Sequence, residues 1–276
     1  MGLVYALVAA GLSLIFGLMD VVNFAHGELL MIAMYATFLG WQASGLEPAL
    51  MLPAVALLLF GVGVAIYRGL IARALSVSFN RGMVQIFVTF GLAIFLRGAA
   101  QFVFGGEFRS VTDTGLAGRS LELGGVFLPL PQVAAGAVCL LAFAGLLLIS
   151  RTEFGRALEA TREDREAVAL LGIDRDHIFA MGWGLGAAAV GVAGAMLAGF
   201  YYVGPNVGAN FAVIAYVTVA LGGFGSMLGA LVAGLVIGEV EAVTAAVLEP
   251  SLKQVGVFAV YLLVLMVRPR GLFGKL

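Results

Sequence analysis

The sequence predicts an all-α fold: a polytopic integral membrane helix bundle of about eight or nine transmembrane helices. Hydrophobic types make up 62% of the 276 residues and charged types 11%, against roughly 45–50% and about 25% in soluble domains. So little charge cannot cover a water-facing surface. The apolar residues fall into runs of spanning length, with no alternating strand pattern of the kind a membrane barrel needs. Within lipid, helices are then the way to satisfy every backbone group.

About 20 apolar residues, rising 1.5 Å each, cross the hydrocarbon. The expected spans are 2–19, 29–46, 50–67, 83–103, 126–150, 178–203, 211–221, 227–247 and 255–267. The first lacks a positive leader and a cleavage site, so it reads as a spanning helix and not as a removable signal. The stretch 211–247 is too long for one helix and carries Gly222, Gly223, Gly225 and Ser226 in its middle. Either it splits there into two crossings or it is re-entrant.

Basic residues set the expected orientation. Arg68, Arg73 and Arg81 form one group, Arg151, Arg156, Arg162, Arg165 and Arg175 a second, and Arg268, Arg270 and Lys275 the tail. All three are expected in the cytoplasm. Splitting 211–247 places an even number of crossings between the second group and the tail, as this requires. Nine crossings leave Met1 outside. The polar segment 105–125, with Glu107, Arg109, Asp113, Arg119 and Glu122, then lies outside, either as a solvated loop or as a docking surface for an external partner.

Several classes are excluded. A net charge of −1 offers no basic face for nucleic acid. The lone Cys139 cannot form an internal disulfide and reads as a small buried hydrophobe. No Cys/His spacing suits a metal, no span carries a paired-carboxylate or Ser/His/Asp set, and no cofactor is expected. The chain is therefore not expected to be an enzyme. Among 39 glycines, Gly182 with Gly186, Gly225 with Gly229, and Gly234 with Gly238 sit one turn apart, a spacing that lets helices pack closely in lipid.

Two polar segments carry information. The first, 20–28, holds Asp20, Asn23, His26 and Glu28 within nine residues. It is either a cytoplasmic turn or a broken helix with Gly27 at the break, whose Asn23, His26 and Glu28 line a translocation path or gate. The second is the charged segment 151–176. Ala157, Leu158, Ala160, Ala167, Val168, Leu170 and Leu171 keep a helical register, Arg162 and Glu166 are four apart, Gly172 suits the helix end and Asp174 the next cap. This predicts a short amphipathic helix. It is either a solvated surface helix or a coupling handle for a motor domain, with Arg156, Glu159, Glu163 and Asp164 as its charged rim, Leu170 and Leu171 as its apolar anchor and Gly172 as its stop. No G-x-x-x-x-G-K-[ST] phosphate loop occurs, so ATP, if used, is bound by another chain. An ion-coupled carrier is the rival reading. Its intramembrane candidates, Arg97 and Glu239, lie near expected span ends, which argues against it.

Four stretches resemble the permeases of branched-chain amino acid ABC importers: GLSLIFGLM at 11–19 followed by VNFAHGE at 22–28, EDREAVALLGI at 163–173, ALGGFGSMLGA at 220–230, and VRPRGLF at 267–273. The first pair is the most specific and favours the LivH-type partner of the permease pair. The chain departs from the pattern in its short N-terminus and in Met227, where proline is expected. The resemblance implies one permease domain over 1–276 with its coupling segment at 151–176, multi-pass in a bacterial inner membrane. It also implies a second homologous permease, two ATP-binding cassette subunits and an extracytoplasmic solute-binding protein. The implied substrates are leucine, isoleucine and valine; close relatives carry other amino acids or urea.

Overall fold

The computed structural model describes residues 1–19, 22–76, 81–112, 114–123 and 126–274, with the side chains at 75, 81, 123, 126 and 165–167 left aside. Of the residues singled out above, Asp20, Asp113 and Lys275 lie outside the described residues, as do the side chains of Arg81, Arg165 and Glu166.

The chain forms α1 (Gly2–Met19), α2 (His26–Ser44), α3 (Pro48–Ile66), which continues through one π turn into α4 (Ala72–Leu75), and α5 (Arg81–Phe104). A short hairpin follows, β1 (Ser120–Leu123) against β2 (Val126–Pro129). Then come α6 (Leu130–Ser150), α7 (Glu153–Glu163), α8 (Arg165–Leu170), α9 (Arg175–Leu197), α10 (Val207–Gly222), α11 (Met227–Val247) and α12 (Lys253–Val267). Among the described residues, 7 helices are long and apolar enough to cross a membrane. α2 and α10 complete the set of nine apolar runs. α2 begins with His26, Gly27 and Glu28, which lowers its hydropathy, and α10 is only 16 residues long. The protein is a multi-pass membrane helix bundle.

α1 and α9 form its centre, buried on nearly every side. Small residues make this possible. A methyl added to Gly186 would press on the Gly11 carbonyl, and one on Gly234 would press on Ala6. Two of the three expected pairs, Gly182 with Gly186 and Gly234 with Gly238, therefore serve close packing, which drives helix association in lipid; Gly225 instead takes φ 76° in the turn before α11 and is not one helical turn from Gly229. Trp183, fully buried on α9, donates its indole N–H to the Met19 sulfur at 3.1 Å. By contrast α5, α6 and α12 expose apolar residues such as Phe87, Phe95, Leu141 and Met266, the surface expected to face lipid or another subunit.

Among the described residues, all three basic groups gather at one end. Leu158 of α7 and Leu18 of α1 meet Gly182 of α9. The Tyr67 hydroxyl reaches Asp176 at 3.0 Å, bringing Arg68 and Arg73 to that end. The tail is strapped there by Leu272 N–H donating to Leu221 O at 2.8 Å and Phe273 N–H to Gly222 O at 3.0 Å. Opposite lie the 105–119 segment and the hairpin, where Arg109 and Val203 exchange backbone hydrogen bonds of 2.8 and 2.7 Å.

The two central helices share a break. α1 runs to the charged end and stops at Met19. The chain then folds back, so that His26 at the start of α2 meets the carbonyl of Val8 at 2.9 Å. Val8 lies about 16 Å up α1 from Met19, at 1.5 Å per residue. α9 runs the other way and stops at Leu197, 198–206 are not regular helix, and α10 starts inside the bundle. α1–break–α2 and α9–break–α10 thus run in opposite senses, and the N-termini of α2 and α10 meet at Gly27 and Gly208. Of the two readings for 20–28, the described part, 22–28, takes the broken helix.

The charged segment departs from its expected form. One amphipathic helix was expected; there are two, because Asp164 is extended (φ −145°, ψ 103°). Arg162 and a residue four further on therefore no longer share a helical face. Arg162 instead approaches the Gly225 carbonyl at 3.4 Å. The expected ends hold: Gly172 takes φ 77°, and Asp174 caps α9 by accepting from Asp176 N–H at 3.0 Å and His177 N–H at 3.2 Å.

Candidate functional site

The meeting of α2 and α10 builds a polar cluster inside an apolar bundle. Asn23 shapes the entry to α2: its Oδ1 accepts from Ala25 N–H at 3.1 Å, and its carbonyl accepts from Tyr216 Oη at 2.8 Å. Because Val8 O can only accept, His26 donates to it from Nε2, and its Nδ1 has no partner among the described residues. Gly27 lies against Gly208, and a methyl on either would run into the other's carbonyl. Glu28 Oε1 accepts from Arg97 Nη2 at 2.5 Å and Nε at 3.1 Å.

The electrostatics are concentrated here. Glu28 is 2% exposed and Arg97 38%, so the pair runs from the buried interior to the α5 surface. The positive ends of two helices also point at this carboxylate, whose Oε2 lies over Gly208. Asn23 Nδ2, His26 Nδ1, Glu28 Oε2 and Gln85 Nε2 are buried and without partners among the described residues. A buried polar atom left unpaired costs about 1–3 kcal/mol. Three of them, on Asn23, His26 and Glu28, fall within six residues at the start of α2, are costly for stability alone and suit a passage that handles polar groups.

The three path residues read from the sequence, Asn23, His26 and Glu28, are thus brought together. Arg97, set aside as a span-end residue, is the cation that completes the cluster. The signal was present: an arginine in an apolar run needs a carboxylate partner. Of the α11 acids, Glu241 and not Glu239 is buried. Its Oε2 accepts from Tyr5 Oη at 2.5 Å, and its Oε1 pairs with Lys253 at 2.7 Å.

The Gly27–Gly208 contact is tight enough to test. Gly27→Ala is expected to lower the melting temperature of the purified chain, since an overpacked core costs about 1–3 kcal/mol. Gly91→Ala, with nothing near its added carbon, should leave melting unchanged. Equal melting of the two variants would show the contact to be slack.

The handle residues stand elsewhere, at the charged end. α7 is capped by Thr152 and seats Gly155, Leu158 and Thr161 against the bundle. Arg156, Glu159, Glu163 and Asp164 are exposed. Leu170 and Leu171, expected as the anchor, are 89% and 77% exposed; Val168 is the buried anchor of α8. The two leucines end α8 beside Gly172 and point away from the chain's own core.

Broken helices of opposite sense that meet at a polar cluster inside a lipid-facing bundle suit a multi-pass membrane permease. The family described as "Branched-chain amino acid transport system / permease component" matches residues 1–267, and the chain belongs to it. It is 31% identical to the high-affinity branched-chain amino acid transport system permease protein LivH of Escherichia coli K12, over 100% of this chain and 92% of that protein. It is 32% identical to the permease protein BraD of Pseudomonas aeruginosa, over 99% and 92%. A probable LivH of Methanocaldococcus jannaschii is 28% identical over 85% and 75%. No solved structure matches.

Proposed function

We propose that this chain is the membrane-spanning permease subunit of an ATP-driven importer that carries leucine, isoleucine and valine across a bacterial inner membrane. The observation that carries this reading is the full-length similarity to relatives named for high-affinity branched-chain amino acid transport. The partners are a second homologous permease, two ATP-binding cassette subunits that hydrolyse ATP, and an extracytoplasmic solute-binding protein. The charged end faces the cytoplasm and meets the ATPases through α7 and α8.

The packing supplies a route for force. Through Arg162, α7 reaches the end of α1 at Gly17 and the Gly225 turn between α10 and α11. α1 carries Val8, the partner of His26, and α10 carries Gly208, the partner of Gly27. A rigid displacement of α7 therefore shifts both contacts that hold the start of α2. Asn23, His26 and Glu28 then act as the gate of an alternating-access cycle.

The test is reconstitution of this chain with its four partners in proteoliposomes with labelled leucine. Uptake should need ATP, be blocked by vanadate and be insensitive to ionophores. Reversing the charges in Glu163→Lys/Asp164→Lys should leave hydrolysis running while uptake falls to background. Vanadate-insensitive, ionophore-sensitive uptake would overturn the ATP-driven reading. Uptake of a different solute in place of leucine, isoleucine and valine would overturn the substrate.

A further inference from the structure

A cavity of about 330 Å³ lies at the charged end, under α7 and away from the Glu28 cluster. Its walls are α1, the end of α6, α7, the turn into α11 and the C-terminal tail. That volume falls at the lower edge of small-molecule sites, about 300–1,000 Å³.

The chemistry of the lining is mixed in a particular way. Glu159 and Arg162 sit three apart on α7, so both project toward one region. Arg162 is steadied by the Gly225 carbonyl, which leaves further N–H donors on its guanidinium. The first residues of α11, Met227 and Leu228, also line the cavity, beside the Ser226 cap. A helix N-terminus next to an arginine is a place for a carboxylate. Glu159 offers the matching acceptor for an ammonium. Ser13, 1% exposed, lines the inner wall with a hydroxyl that has no partner among the described residues. Leu14, Leu147, Leu158, Phe224 and Phe273 give it an apolar wall, and the hydroxyl of Ser150, also in the lining, is taken up by the Leu147 carbonyl at 2.7 Å.

We infer that this cavity is a second, regulatory site for a zwitterionic α-amino acid with an aliphatic side chain. Arg162 and the α11 N-terminus hold the carboxylate, Glu159 the ammonium, Ser13 donates a further hydrogen bond, and the leucine wall receives the side chain. The site is built from the handle on one side and from α1 and α11 on the other. An occupant bridging them clamps α7 against the helices it must move. Imported solute that accumulates on this side therefore slows further import. This rests on the reading that the charged end is cytoplasmic and that α7 is driven.

Two arms test it on the complete assembly. In the first, proteoliposomes are preloaded with L-leucine on the side of the charged end, and initial uptake is compared with that of empty vesicles of the same variant. Preloading should slow the original protein about fivefold or more, the lower bound of common allosteric coupling. Leu228→Trp, at a position 56% exposed where a larger side chain can enter the cavity without disturbing the core, should escape the slowing. Ser13→Ala should need more leucine for the same effect. In the second arm, equilibrium binding of labelled leucine is measured without the solute-binding protein, and Leu228→Trp should lose one site per copy of this chain. Equal slowing of the original protein and Leu228→Trp overturns the inference. So does unimpaired uptake from preloaded vesicles, or loss of the ATPase chains in Leu228→Trp, which would make the cavity a socket for the motor. If no leucine is imported at all, the transport reading fails, and the binding arm alone decides whether the cavity takes an amino acid.

Discussion

Arg97→Ala is expected to damage the folded bundle more than most single changes in it. Glu28 is buried and takes its hydrogen bonds from Arg97 alone among the described residues. Removing the cation leaves a carboxylate inside an apolar bundle, and breaking a buried pair in this way costs about 3–5 kcal/mol. The partial exposure of Arg97 places the loss toward the lower end of that range. Adding Glu28→Gln to the same chain removes the stranded charge. The double variant should therefore melt several degrees above Arg97→Ala, a coupling typical of paired residues. On the proposed function transport should stay lost in both, because a gate built on this cluster would need the pair and not only its neutrality. Thermal unfolding of the purified protein beside uptake in vesicles separates the two effects. If the single and double variants melt together, the pair is not what holds α2 to α5.

How much of this was legible in the sequence depended on range. Local signals read well. Each apolar run contains a helix, Gly172 and Asp174 end and start helices as their chemistry demands, and the small residues of α9 and α11 sit where backbones approach. The gathering of the basic residues at one end follows from the spacing of the runs. Depth was not legible. Nothing in the periodicity of 11–30 says that the chain turns back after Met19, because the turn is set by packing on α9 and α10, which lie far away in sequence. The Glu28–Arg97 pair spans 69 residues and Tyr5–Glu241 spans 236, so neither partner could be chosen from spacing alone. The break at Asp164 was hidden too: the pattern of 157–171 fits one helix, with Thr161 and Val168 seven apart on one face, and nothing in it marks the extended backbone of Asp164.

The burial of Val168 sets up the second large effect. Val168 holds α8 down, which turns Leu170 and Leu171 outward at the water-facing end. Two adjacent exposed leucines beside charged residues are what a docking surface presents, since soluble faces seldom leave contiguous apolar patches unused. Leu170→Asp/Leu171→Asp is therefore expected to leave the melting of the isolated chain unchanged, because neither side chain packs against it. On the proposed function, binding to the ATPase chains should fail, because each leucine buried at such an interface is worth about 1.5–3 kcal/mol, and a carboxylate in its place adds desolvation. Affinity capture of the tagged chain should then recover little or no ATPase, and ATP-dependent uptake should drop to background. The phenotype differs from charge reversal at Glu163 and Asp164, which should keep the motor bound while losing its thrust. Val168→Asp is the informative contrast: it should lower melting as well as binding, since it removes the anchor of α8 itself. A double leucine variant that still captured the motor and imported leucine normally would move the docking surface off α8 and leave α7 to carry the coupling alone.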